Sequence, residues 1–192
     1  MKEAVYKQEV CNIFNVVYIR IKGDGNCLFR AISFFEYNHQ ENHLELRCNI
    51  IDYIICNRIV FEQYISSNDG IFDDYISNMR KEGIWGTYCE VIAYSKLRNI
   101  NIHVHILNNE DQIINQNVNN EWLHLFYNDH THFDLFKQNV NVTNNYENAI
   151  TSNESNNDLL SSDISRIGFS FEALNCSFLL QNNESGNDKN TK

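Results

Sequence analysis

The sequence predicts a mixed α/β (α+β) domain, a helical region followed by a small mixed sheet, and three observations carry that reading. Apolar residues recur at helical spacing through residues 27–98 and then switch to a period near 2 beyond Arg98. One alternating run, 16–22, stands ahead of those helices, so the order strand, helices, strands is set. From Gln138 the composition shifts to Asn, Ser, Thr and acidic residues, which have little to bury. A single domain over 1–137 and a largely disordered carboxy-terminal tail over 138–192 are therefore expected, with one apolar segment, 167–180, that either docks on the core or binds a partner.

Each element has its own signal. Ala4, Val5, Val10, Ile13 and Phe14 fall at roughly helical spacing, so a short helix opens the chain. Residues 16–22 alternate as a strand, and Gly23-Asp24-Gly25-Asn26 is a turn by composition. Leu28, Ile32 and Phe35 share one helical face, which predicts a helix from Cys27 to about Tyr37. The stripe Leu44, Cys48, Ile51, Ile55, Ile59 and Phe61 predicts one long helix over about 42–65. A further helix is expected over 72–81, stopping at Gly83, and another after Thr87, with Glu90 at the capping-box position. Beyond it, 100–107, 112–115, 122–127 and 132–136 read as strands between Asn-rich turns.

Composition excludes several classes. At 43% hydrophobic residues, with 12 Phe and 10 Tyr, the chain can fill a core and is not wholly disordered. A net charge of −10 repels phosphate backbones, so nucleic acid is not expected as a ligand, whereas a basic partner surface is favoured. The six cysteines are dispersed without a CxxC pair and read as reduced thiols. No signal-peptide run and no apolar stretch of membrane-spanning length is found, so a cytoplasmic protein without membrane contact is expected.

The sharpest chemical feature is Asp24-Gly25-Asn26-Cys27. A cysteine that opens a helix feels the positive end of the helix dipole, which favours thiolate over thiol. The turn before it leaves backbone N–H groups, those of Gly25, Asn26 and Cys27 among them, to face an incoming carbonyl oxygen as an oxyanion hole. A thiol nucleophile needs a base, and the base needs a residue to hold its tautomer. His132 and Asp134, at i and i+2 of one strand, share a face; Asp134 is expected to take the imidazole Nδ1 while Nε2 meets the thiol. His130 lies on the same face, but the aromatic Phe133 and the acid that follow single out His132.

These residues resemble the ovarian-tumour (OTU) family of cysteine deubiquitinases. The block Gly23-Asp-Gly-Asn-Cys-Leu-Phe-Arg-Ala-Ile-Ser33 looks like its signature, and the likeness continues through His43-Leu-Glu-Leu-Arg47, the segment 74–86 with Glu90, Asn99-Ile-Asn-Ile-His-Val104 and His132-Phe-Asp134. It covers about residues 10–137. The resemblance implies a papain-like fold, hydrolysis of (iso)peptide bonds at the carboxy terminus of ubiquitin or a ubiquitin-like modifier, ubiquitin or polyubiquitin as partner, and no cofactor. By position, Cys27 resembles the nucleophile, His132 the base, Asp134 its orienting residue, and Asp24 the motif aspartate. Phe133 stands where the family usually has Tyr.

Other readings remain open at this point. Trp85 and Gly86 either line the substrate groove or close a helix pair, and Arg30 either meets a substrate carboxylate or makes a structural ion pair. His39, His43, His103 and His105 read as surface polar residues, so no metal site is expected. A catalytically silent ubiquitin-binding module and another thiol amide hydrolase are the rival functions. Retention of Asp24, Cys27, His132 and Asp134 argues against the first, and the helical segment 41–97 against the second.

Overall fold

Five strand segments close one mixed sheet in the computed structural model, which describes residues 2–65, 71–128 and 131–139. The strands β1 (Val16–Ile19), β2 (Asn101–Ile106), β3 (Gln112–Ile114), β4 (Trp122–Asn128) and β5 (His132–Gln138) lie in the order β1-β5-β4-β2-β3. β2 and β4 run parallel, and the other neighbours are antiparallel.

Paired residues share a face, so the register sorts the sheet into two sides. Ile102, Val104, Leu123, Leu125, Phe133 and Leu135 form the apolar side, all of them buried. Lys137 on that side reaches the Phe34 carbonyl at 3.4 Å, which places α2 (Cys27–Tyr37) over it. The other side carries Tyr18, His103, His105, His124, Phe126, His132, Asp134 and Phe136. α1 (Lys2–Phe14) covers it, with Val10 packed on Val16, Phe126 and Phe136 in a separate small core.

The remaining helices are α3 (His43–Cys56), the short α4 (Arg58–Phe61), α5 (Phe72–Met79) and α6 (Tyr88–Arg98). The long helix expected over 42–65 is thus broken. At Asn57 the side-chain amide donates to the Tyr53 carbonyl at 2.8 Å, competing with the backbone for its acceptor, and the chain restarts as α4 and a 3-10 turn at Glu62–Tyr64. α6 begins as its sequence predicts: Thr87 Oγ1 accepts from the Cys89 N–H, and the Thr87 N–H donates to Glu90 at 2.7 Å.

About one residue in six is Asn, and the excess has a use. Asn38 ends α2 and Asn99 ends α6 in the left-handed conformation, at φ of 62° and 52°, where helices more often place Gly. β5 extends to Gln138, which pairs with Val16. The tail from 140, with its apolar segment 167–180, and His130 lie outside the described residues. No helix among the described residues is long and apolar enough to cross a membrane.

Candidate active site

β1 ends at Ile19, short of the expected 22, because the next residues leave the ladder for the side chain of a neighbouring strand. The Ile21 N–H donates to the Asp134 carboxylate at 2.7 Å. That bond turns the chain into the loop 22–26, which delivers Cys27 to the start of α2.

The loop is held by a network of ionic and amide groups. Arg30 Nε and Nη2 grip the Asp24 carboxylate at 3.0 and 2.7 Å, so Arg30 makes the ion pair that was one of its two readings. That grip, reinforced by Asn26, holds the Asp24 carboxyl well below the usual carboxylate range. Asn26 then bridges outward. Its Nδ2 donates to Asp24, and its Oδ1 accepts from Arg47 at 2.8 Å and from the Gly83 N–H at 2.9 Å.

Gly25 and Gly83 explain why the loop needs glycine. Gly25 has φ of +83°, and a Cβ on it would lie 2.1 Å from the Gly83 carbonyl oxygen. The loops 23–26 and 83–86 are therefore in backbone contact. Gly86 approaches α2 as closely, since a Cβ there would meet Leu28 Cδ2 at 2.6 Å. Neighbouring Trp85 is 52% exposed and so lies outside the buried core.

Cys27 is buried as the first residue of α2. Asn26 occupies the N-cap position but makes no side-chain cap bond, because its amide is spent on Asp24, Arg47 and Gly83. The helix N-terminus is thus left to act on the sulfur. One expected oxyanion donor is corrected: the Asn26 N–H donates to Asp24 Oδ1 at 3.2 Å, closing a local turn. Gly25 and Cys27 are the backbone donors that remain of the expected three.

His132 and Asp134 share the face predicted for them, but the ring is turned. Nε2, not Nδ1, donates to Asp134 Oδ1, at 3.0 Å, which leaves Nδ1 for the thiol side. Nδ1 and Cε1 lie against Gly23, each 3.5 Å from where a Cβ would stand, so the loop glycine admits the ring in this orientation. Hydrogen bonds that the ring makes to Asp134 first and to Cys27 second push the His132 pKa up to about 10, so the imidazolium is the stable form. Asp134 receives three donors, His132, the Tyr18 hydroxyl at 2.6 Å and the Ile21 N–H. Burial alone would raise its carboxyl; these bonds outweigh it and hold the pKa below its ordinary value. Phe133 is buried on the opposite face against Tyr127, ring centroids 4.6 Å apart, away from the proton path.

Three positioning residues were missed in the sequence: Tyr18, Arg47 and the amide of Asn26. Arg47 alone carried a signal, as a charged residue interrupting the buried stripe of α3 within the quoted His43–Arg47 block. His43, His103 and His105 are buried, not surface polar residues; only His39 of that group is exposed. Strand alternation brings His103 and His105 inward beneath α1, opposite His124 of β4, a partner that the spacing within one strand does not reveal. Cys48, placed in the apolar stripe of the long helix, is exposed on α3, as is Cys56.

The sequence profile of the OTU-like cysteine proteases matches residues 22–140. OTU domain-containing protein 3 of Mus musculus is 33% identical over 88 residues, 46% of this chain and 22% of its own length. The ovarian tumor domain-containing deubiquitinating enzyme 7 of Arabidopsis thaliana is 33% identical over 124 residues, 60% of this chain and 31% of its own. The chain thus spans less than a third of either curated relative. Among solved structures, the OTUD1 OTU domain shares the fold with a TM-score of 0.64 at 26% identity, covering 70% of this chain and 94% of that one. Since the matched profile takes in more than half of the chain and holds both the loop before α2 and the end of β5, the chain belongs to the OTU-like cysteine protease family.

Proposed function

We propose that this chain is a cysteine-dependent deubiquitinase, in which Cys27 is the nucleophile, His132 the general acid and base, and Asp134 the residue that positions His132. The observation that carries the reading is the His132 ring held between the Asp134 carboxylate and the thiol that opens α2. The Cys27 thiolate attacks the carbonyl carbon of the ubiquitin carboxy-terminal glycine. The N–H groups of Gly25 and Cys27 face the developing oxyanion. The His132 proton passes from Nδ1 to the leaving lysine amine, and the same nitrogen then takes a proton from the water that cleaves the thioester.

Ubiquitin, free or in chains, is the proposed partner, in line with the name of the Arabidopsis relative. A cleft of about 540 Å³ lined by Tyr18, Arg20, Gly23, Asn128, His132 and Asp134 borders the site on its histidine side. Its polar walls suit an extended main chain, and the net charge of −10 suits a basic face on the partner, chiefly through association rate. Among the described residues Cys11, Cys27, Cys48 and Cys56 form no disulfide, which fits a reducing, cytoplasmic setting. The test is to mix the full chain with ubiquitin bearing a thiol-reactive carboxy-terminal electrophile. A one-to-one adduct mapped to Cys27 is expected. An unreacted chain, or an adduct at another cysteine, overturns the reading.

The electrostatics add a pH prediction. A pKa raised to about 10 means that the folded state binds the His132 proton more tightly than the unfolded chain does. The resulting stability is fully present below the ordinary histidine pKa and is lost as pH rises through about 10. Asp134→Asn removes the main cause, so the ring pKa read by NMR should drop toward the ordinary ~6.5, and turnover should fall by roughly 10²–10⁴-fold. An unchanged ring pKa in that variant removes Asp134 from the positioning role.

A further inference from the structure

We propose that His103, His105 and His124 form a second site, separate from the cysteine centre, that binds one divalent transition ion of the zinc type. All three are buried, and one ring nitrogen of each lies within 4.8 Å of those of the other two. They come from two parallel strands in register, His103 opposite His124, beneath the Phe14 ring of α1.

The hydrogen bonds around the triad leave one lone pair on each of the His103 and His105 rings. Asp111 Oδ2 accepts from His103 Nε2 at 2.8 Å and from His105 Nδ1 at 2.9 Å. Its Oδ1 is filled by the Tyr6 hydroxyl at 2.9 Å and the Ile106 N–H at 3.0 Å. Both rings must therefore turn an N–H toward the carboxylate, so in the neutral ring the second nitrogen keeps its lone pair. A carboxylate behind a ligating imidazole is the usual support of a metal-bound histidine. The freed nitrogen of His105, Nε2, lies 3.0 Å from His124 Nδ1. Nitrogens on a tetrahedral zinc at 2.0–2.1 Å sit about 3.3 Å from one another, so this pair is already near the spacing an ion needs. Loading requires only that the proton shared by that pair move to the other nitrogen of His124, with no net proton released.

Ligand chemistry narrows the ion. Three imidazoles favour zinc, cobalt, nickel or copper, and they disfavour magnesium and calcium, which take oxygen ligands. The consequence is structural. Asp111 ties the triad to Tyr6 of α1, and α1 covers the same face that presents His132 and Asp134. An ion would thus stabilise the α1-covered face without touching the reacting atoms.

The test uses the full chain, stripped with a chelator, loaded with zinc sulfate and dialysed. One retained zinc per chain is expected, together with a raised melting temperature, in both the native chain and Cys27→Ser. His124→Gln should lower the affinity at least tenfold and remove the melting shift. If His124→Gln fails to fold, X-ray absorption on the zinc-loaded native chain decides: a first shell of nitrogen and oxygen supports the site. A sulfur ligand, zinc lost in Cys27→Ser but kept in His124→Gln, or no retained zinc at all, overturns it.

Discussion

Cys27→Ala should reduce turnover of a ubiquitin substrate by roughly 10⁶-fold, to the background of clean protein, while the affinity for ubiquitin stays within a few fold. The size of the loss follows from what the substitution removes. In the proposed mechanism the sulfur is the attacking atom, and neither the helix dipole, the backbone donors assigned to Gly25 and Cys27 nor the His132–Asp134 pair can replace it. The fold should be spared, because Cys27 is small and the loop before it is held by Asp24, Asn26, Arg30 and Arg47. One secondary effect separates nucleophile from bystander. Hydrogen bonding to Cys27 is the second cause of the raised His132 pKa, so Cys27→Ala should lower that pKa while leaving the Asp134 contribution in place. Measurable turnover in the variant, or a His132 pKa that does not move, would remove Cys27 from the chemistry.

Much of this site was legible in the sequence because its parts are local. The turn before Cys27, the helix that starts there and the i, i+2 pair on β5 are each written within a few residues, and alternation alone puts His132 and Asp134 on one face. What stayed hidden depends on contacts across the chain. Which ring nitrogen meets Asp134 is decided by how the imidazole fits beside Gly23, more than a hundred residues away. The stripe read over 42–65 failed twice: of its six residues only Ile51 and Phe61 are buried, and apolar spacing is silent about the Asn57 side-chain amide that bonds the preceding turn. His103 and His105 were misread for a related reason. Polar residue type suggested solvent, whereas β2 is a central strand covered on both faces, and buried polar groups there are sustained by Asp111 and His124, which no spacing rule within β2 reveals.

The same dependence on long-range contacts makes Arg47 the position where a substitution outside the chemistry should cost most. Its side chain is fully buried, and its guanidinium lies 3.9 Å from the Phe29 ring. Nη1 donates to the Met79 carbonyl at 2.9 Å, and Nη2 to the Ile84 carbonyl at 2.7 Å and to Asn26 Oδ1 at 2.8 Å. One residue of α3 therefore fastens the end of α5, the loop 83–86 and the loop that carries Cys27. Arg47→Met keeps most of the volume but leaves the buried Met79 carbonyl and the half-buried Ile84 carbonyl without this donor and deprives Asn26 of one of two. At about 1–3 kcal/mol for each unsatisfied group, a loss of roughly 3–5 kcal/mol is expected, seen as a melting temperature lower by about 10 °C or more. Arg47→Lys should recover only part of it, since one ammonium cannot span three acceptors in the geometry of the planar fork. Activity should fall further than the folded fraction does, because Asn26 loses its anchor and the Gly25–Gly83 contact loosens around the thiol. If both variants melt like the native chain, the network is not what holds the loop; if they melt lower yet the folded fraction keeps full turnover, Arg47 serves stability alone.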